Sequence, residues 1–169
     1  MIDSQMNDAR KKIVILAISH EFQQLGNPGN AKLEESLTYL VRKFKVQIVL
    51  EEWTEDQERT LAAELAPKLG LDFAKIGTPD DEPFRTCWPQ ISHPAHDGTL
   101  PYDPDAPKML NEYGPLNAEN AREEQMVRSI RKHMEDYMRG IFIVGIAHTH
   151  SLHSKLVSMG FDVASYIVA

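Results

Sequence analysis

Histidine and glutamate side chains stand at the ends of apolar runs at three places in this sequence. His20 follows "IVILAI", Glu51 and Glu52 lie near the end of "VQIVLEEW", and His148 and His150 follow "IFIVGIA". Imidazole nitrogens and carboxylate oxygens gathered in one place are ligands for zinc, manganese or iron. The same groups also form a general base with an acid that orients it. The residue types do not decide between a metal site and an acid–base site. A metal site would use His20, Glu51, His148 and His150.

A further charged group, Arg122, stands beside Glu123 at the start of a predicted helix that precedes "IFIVGIA". A guanidinium held in a dry cleft stabilises the oxyanion that develops during hydrolysis. Arg122 is therefore a fourth candidate for the same site.

The sequence "HTH" at 148–150 has two interpretations. In an extended segment, His148 and His150 share one face and can bind one ion. At the start of a helix, the two side chains diverge instead. His153 lies further into that predicted helix, and we expect a solvated or packing role for it.

Apolar periodicity predicts the elements that position these residues. Short β-branched runs without alternation are typical of strands buried on both faces. They occur within "KKIVILAISHEF", "VQIVLEEW", "LDFAKIG", "IFIVGIA" and "DVASYIV". Helical spacing of apolar residues falls between them and is strongest in "NAREEQMVRSIRKHMEDYM". The alternation predicts an α/β fold with a mainly parallel sheet flanked by helices, whose carboxyl edge gathers the polar clusters.

Residues typical of helix ends predict where these helices begin and stop. N-terminal caps or capping boxes are predicted at Asn30, at Thr54 with Gln57, and at Asn120 with Glu123. C-terminal stops are predicted at Gly70 and Gly160.

Composition indicates the broad class of the protein. The chain has 169 residues, 42% apolar and 25% charged, with a formal charge of −7. This predicts a single α/β domain over residues 1–169, and no nucleic-acid partner, because phosphate binding needs clustered lysine and arginine. The apolar runs are shorter than the roughly 20 residues that cross a bilayer, so no membrane association is predicted. The polar N-terminus and the single cysteine, Cys87, favour a cytoplasmic location.

Segment 78–116 interrupts the pattern of strands and helices. It holds eight of the ten prolines together with several aromatic residues. An irregular segment of this length is typical of either a functional loop or disorder. The aromatic residues favour a packed loop, so we predict an insertion or lid over the site. Cys87, His93 and His96 within it partly resemble a metal-ligand set, but a fourth ligand is lacking.

Three common nucleotide and hydrolase motifs are absent from the sequence. It contains neither GxxxxGKS/T, nor GxGxxG after the first strand, nor the nucleophile elbow GxSxG. Nucleotide hydrolysis and the usual serine-esterase chemistry are therefore disfavoured.

The order of the polar clusters resembles that in a known superfamily. The motifs are "ILAISH", then "VQIVLEEW", then "AREEQM" at a helix start, and finally "IVGIAH". In this order they resemble the superfamily that contains the TraB and PrgY pheromone-shutdown proteins, the Tiki proteases, the ChaN-type haem-binding lipoproteins and the erythromycin esterases. The resemblance covers both ends of the chain and omits its proline-rich middle.

The resemblance implies a compact α/β unit whose site uses His20, Glu51, Arg122 and His148. It also implies that neighbouring carboxylates can substitute, namely Glu52 and Glu123. Because the superfamily includes metal-dependent peptidases and metal-independent hydrolases, the resemblance implies hydrolysis without fixing a substrate. We expect cleavage of an ester or amide bond in a small-molecule or peptide substrate. Two alternatives stay open: a non-catalytic protein of this fold that binds a metal, haem or small ligand, or an interaction module that uses segment 78–116.

Overall fold

A computed structural model of the chain describes residues 10–54, 59–78 and 122–168. The strands are β1 (Lys12–Ile18), β2 (Ile48–Glu52), β3 (Asp72–Ile76), β4 (Arg139–Gly145) and β5 (Asp162–Ile167). The helices are α1 (Asn30–Phe44), α2 (Leu61–Lys68), α3 (residues 122–133) and α4 (Thr149–Ser158). Short 3-10 turns occur at His20–Gln23, Met134–Asp136 and Ile146–His148. The predicted alternation is confirmed, while segment 78–116, apart from Thr78, lies outside the described residues together with Cys87, His93 and His96.

Within the described residues the sheet has five strands in the order β3-β2-β4-β1-β5, and every pair of neighbours is parallel. The predicted α/β class and the parallel sheet are therefore confirmed. Strands β2, β4 and β1 are adjacent, and Ile18 is level with Gly145 while Glu51 is level with Ile143. The loops that follow these three strands consequently meet at one carboxyl edge, as expected for an open parallel sheet.

Each face of the sheet carries its own apolar core. On one face, Val49 packs with residues of α1 and α2; on the other, Leu50 packs with residues of α3 and α4. Successive side chains of a strand point to opposite faces, so both faces must be apolar in such a strand. Burying one Ile, Leu or Val contributes about 1.5–3 kcal/mol, and this burial explains the unbroken apolar runs.

Helix α1 begins one residue earlier than the sequence predicts. Gly29 is the N-cap and Asn30 is the first helical residue. The Asn30 amide instead bonds the preceding turn, since its Nδ2 donates to the carbonyl oxygens of Phe22 and Gln24, each at 2.8 Å. The prediction of Asn30 as an N-cap was therefore wrong, because the side chain closes a loop next to His20–Gln23.

Helix α2 is capped by Thr60, whose hydroxyl accepts a hydrogen bond from the Ala63 N–H at 3.3 Å. The predicted capping box at Thr54 was wrong, because the helix begins six residues further on. The stops at Gly70 and Gly160 are confirmed, with positive φ angles of 71° and 93° that favour glycine after a helix.

The remaining predicted cap, at Asn120, lies outside the described residues. Of the helices in the described ranges, none is both long enough and apolar enough to span a bilayer.

Candidate functional site

The carboxylate of Glu52, the last residue of β2, is the centre of a polar cluster at the carboxyl edge of the sheet. Glu52 is buried, with only 1% of its surface exposed. Arg122 Nη2 donates to Oε1 at 3.0 Å, and the Gly145 N–H donates to Oε2 at 3.0 Å. A buried carboxylate is costly unless it is paired and hydrogen-bonded, and these two donors meet that requirement.

Two imidazole rings face this same carboxylate. The Nε2 atom of His20 lies 3.6 Å from Glu52 Oε2, and the Nε2 atom of His148 lies 3.8 Å from Oε1. Both distances exceed those of a direct hydrogen bond. The cluster therefore brings two ring nitrogens, from the ends of β1 and β4, next to one buried negative charge.

The His148 ring is oriented by Glu123 in the first described turn of α3. His148 Nδ1 lies 2.9 Å from Glu123 Oε1, and the Ser151 hydroxyl donates to Oε2 of the same carboxylate. An ionised carboxylate only accepts hydrogen bonds, so Nδ1 carries the proton. In the neutral ring, Nε2 is then the basic nitrogen, and it is the nitrogen on the Glu52 side.

His20 opens the 3-10 turn that follows β1, and it packs against the backbone of β4. A Cβ atom added to Gly145 would lie 2.4 Å from His20 Nε2, far closer than any real contact. Glycine at this position therefore both makes room for the ring and donates its N–H to Glu52.

The Glu51 carboxylate lies on the opposite face of the sheet from Glu52 and is fully buried. Gln23 Nε2 donates to its Oε1 at 3.0 Å, and the Thr60 hydroxyl donates to its Oε2 at 2.6 Å. Burial raises the pKa of Glu51, and the hydrogen bonds from Thr60 and Gln23 partly oppose that rise. Glu51 connects to the cluster indirectly, because Gln23 Oε1 lies 2.9 Å from His20 Nδ1.

The structure brings His20, Arg122 and His148 together around Glu52. Glu51 does not contact this group directly and is linked to His20 through the Gln23 side chain. The helical interpretation of "HTH" is confirmed, because α4 begins at Thr149. His150 is exposed, and its ring makes no hydrogen bond or ion pair with the cluster within the described ranges. Its role as a metal ligand stays a prediction.

His153 lies outside the cluster, and its Nδ1 contacts the Ser165 hydroxyl at 2.7 Å. This contact agrees with the packing role expected for it.

Sequence reasoning missed Gln23 and Thr60, and it treated Glu52 and Glu123 only as substitutes. Gln23 has a readable signal, since it stands three residues after His20, where a single turn brings the two side chains together. The sequence signal for Thr60 is weaker: it is a threonine placed directly before an apolar run with helical spacing.

The described side chains do not form a closed metal-ligand set. Within residues 10–54, 59–78 and 122–168, no group of three or more His, Cys, Asp or Glu side chains has an arrangement that could hold a metal ion. The contacts of Glu52 explain this absence. Both of its oxygens already accept hydrogen bonds, and the Arg122 guanidinium already balances its negative charge. Zinc, manganese or iron in this cluster stays a prediction.

Comparison of the chain with protein-family models, curated proteins and solved structures found no match.

Proposed function

We propose that this protein is a hydrolase that cleaves an ester or amide bond at the Glu52 cluster, with His148 as the general base. The observation that carries the proposal is the contact between His148 Nδ1 and Glu123 Oε1, at 2.9 Å. A histidine oriented by a carboxylate, with its second nitrogen turned toward other polar groups, here the Glu52 carboxylate at 3.8 Å, is an arrangement that can activate water or a hydroxyl group.

In the proposed reaction, His148 Nε2 removes a proton from water, and the water oxygen attacks the carbonyl carbon of the substrate. Glu123 stabilises the imidazolium that forms, since it accepts the Nδ1 proton. The imidazolium then returns its proton to the leaving alcohol or amine. One ring thereby serves as base in the first step and as acid in the second.

Arg122 is the group proposed to stabilise the oxyanion. It is held by Glu52 Oε1 at 3.0 Å and by the Trp53 carbonyl oxygen at 3.5 Å. A guanidinium has five N–H donors, more than these two contacts use. A positive charge fixed before the reaction begins stabilises developing negative charge without reorganisation.

The order of the polar clusters supports a proposed membership of the superfamily of TraB, Tiki, ChaN-type and erythromycin-esterase proteins. Hydrolysis in that superfamily occurs with and without a metal, so the resemblance is compatible with side-chain chemistry at this site. The proposed substrate is a small molecule or a peptide.

A second candidate function is ligand binding without reaction. It is favoured by the two Nε2 atoms that face one carboxylate, at 3.6 and 3.8 Å, because imidazole nitrogen and carboxylate oxygen are a donor set that binds divalent cations. The same polar edge could bind haem or a small anion in place of a metal.

A substrate panel combined with metal analysis separates the two functions. Purified protein is assayed on ester, amide and phosphoester substrates, with and without a chelator, beside the His148→Ala variant. We expect turnover of an ester or amide that survives chelation and is lost in the variant, while the melting temperature stays close to that of the wild type. Bound metal with no turnover on any substrate class would instead support the second function.

A further inference from the structure

A chain of hydrogen bonds runs from helix α2 to the His20 ring. Thr60 Oγ1 donates to Glu51 Oε2 at 2.6 Å, Gln23 Nε2 donates to Glu51 Oε1 at 3.0 Å, and Gln23 Oε1 lies 2.9 Å from His20 Nδ1. Thr60, Glu51 and Gln23 are each fully buried. Polar groups buried in this way have no water to replace a lost partner, so the direction of each bond matters.

The direction of the whole chain follows from the first two groups. The Thr60 hydroxyl accepts the Ala63 N–H and donates its own proton to Glu51 Oε2. The Gln23 Nε2 atom donates to Glu51 Oε1, so the geometry of the amide turns its NH2 group to Glu51 and its carbonyl oxygen to His20, where the acceptor in the first of these bonds is a carboxylate oxygen that only accepts. A carbonyl oxygen also only accepts, which places a proton on His20 Nδ1.

We propose that Gln23 is a positioning residue that holds His20 in the Nδ1-protonated tautomer and turns its Nε2 lone pair toward Glu52. The neighbouring backbone supports the same orientation, because Gly145 leaves space for Nε2 only by lacking a Cβ atom. Both rings of the cluster would then present Nε2, His148 through Glu123 and His20 through Gln23. That the Glu52 cluster is a reaction site rests on the proposed function, whereas the His20 tautomer does not.

Substitution of Glu51 by glutamine provides a test that a purely structural role would not satisfy. In Glu51→Gln, the carbonyl oxygen of the new amide accepts from Thr60, and its NH2 group donates toward Gln23. The Gln23 amide must then reverse and donate to His20 Nδ1, which moves the ring proton to Nε2. The proposal therefore expects inversion of the tautomer from a change that alters the shape of the side chain very little.

The measurement is NMR of isotope-labelled imidazole nitrogens at a pH where the rings are neutral, with the His20 signal assigned by its loss in His20→Asn. We expect a protonated Nδ1 in the wild type, a protonated Nε2 in Glu51→Gln, and a mixture of tautomers in Gln23→Met, which lacks the amide. His153 is the internal control, because its ring contacts Ser165 and lies outside the hydrogen bonds that join Thr60, Glu51, Gln23 and His20. Its signals are expected to stay unchanged in every variant.

The same His20 tautomer in the wild type, Glu51→Gln and Gln23→Met would overturn the proposal. The Gln23→Met spectrum decides the matter alone if Glu51→Gln does not fold, since a pure Nδ1-protonated ring without the Gln23 amide contradicts the assigned role. Turnover is measured on the same samples. A tautomer that inverts as expected in a protein without any turnover would contradict the proposed function and leave the positioning role of Gln23 intact.

Discussion

Glu51 and Glu52 are consecutive residues of β2, yet their carboxylates lie on opposite faces of the sheet and bind different partners. Glu52 receives Arg122 and the Gly145 N–H, while Glu51 receives Gln23 and Thr60. The alternation of side chains along a strand causes this division. The His20 ring lies next to Glu52 and is linked to Glu51 through the Gln23 side chain. The two carboxylates on opposite faces of the sheet are therefore connected through this one imidazole.

The contact between Glu123 and His148 leads to the first prediction. Glu123→Gln keeps the size of the side chain but removes the charge that stabilises the His148 imidazolium, so we expect turnover to fall about 100-fold or more. Steady-state kinetics on the substrate found in the panel measures this effect. Glu124→Gln is the matched control, because Glu124 is the next residue of α3 and pairs only with Lys155 at 3.1 Å among the described ion pairs. Equal losses in the two variants would contradict the role of Glu123.

The strands and their convergence could be predicted from the sequence, because burial on both faces leaves long apolar runs that end in polar residues. The choice between Glu51 and Glu52 could not be predicted in the same way. A strand buried on both faces has no apolar and polar alternation, so nothing in "VQIVLEEW" indicates which face each glutamate takes. The tertiary contacts of Arg122 and Gly145 make that distinction, and they come from residues far away in the chain.

Gln23 illustrates the same limit within the candidate site. Its amide is buried because the loop before α1 folds back, held by the Asn30 side chain and by the bridge between Gln24 and Thr60. The sequence rules for caps consider neighbours within one turn, whereas these bonds join residues up to 36 positions apart. Local patterns therefore predicted the elements of the site better than the side chains that orient it.

The pairing of Arg122 with Glu52 leads to a prediction about stability. Arg122→Met leaves the Glu52 carboxylate buried without its counter-charge, so we expect a large loss in the free energy of unfolding. Adding Glu52→Gln removes that charge and should recover part of the loss. A double-mutant cycle by urea denaturation is expected to give a coupling of about 1–3 kcal/mol. Strictly additive effects would mean that the pair contributes nothing beyond its separate contacts.

Gly145 leads to a prediction about packing. Gly145→Ala forces a Cβ atom against His20 Nε2, and we expect displacement of the ring, loss of turnover and a destabilisation of about 1–3 kcal/mol. Gly140→Ala is the control on the same strand, since its Cβ would meet the flexible Met134 Sδ at 2.6 Å, away from the cluster. That variant should lose some stability and keep its turnover. Normal turnover in Gly145→Ala would show that the His20 position is not required.

The buried carboxylate of Glu51 predicts how the stability of the protein depends on pH. Burial raises the pKa of Glu51 above its ordinary value of 4.5, so the folded state binds this proton more tightly than the unfolded state does. The stabilising contribution is complete below the unfolded pKa and is lost as the pH rises through the folded pKa. Within that window the slope approaches about −1.4 kcal/mol per pH unit.

Comparison of the wild type with Glu51→Gln isolates this contribution, because the amide does not titrate. Free energies of unfolding from urea denaturation are measured at a series of pH values from 4.5 upward. We expect the wild type to lose stability relative to the variant as the pH rises. Glu64→Gln is the control of opposite sign and is measured below pH 4.5, because the Arg59 side chain lowers the pKa of this exposed glutamate, so the wild type loses stability relative to that variant as the pH falls. A difference between the wild type and Glu51→Gln that stays constant with pH would show that Glu51 has the same proton affinity in the folded and unfolded states.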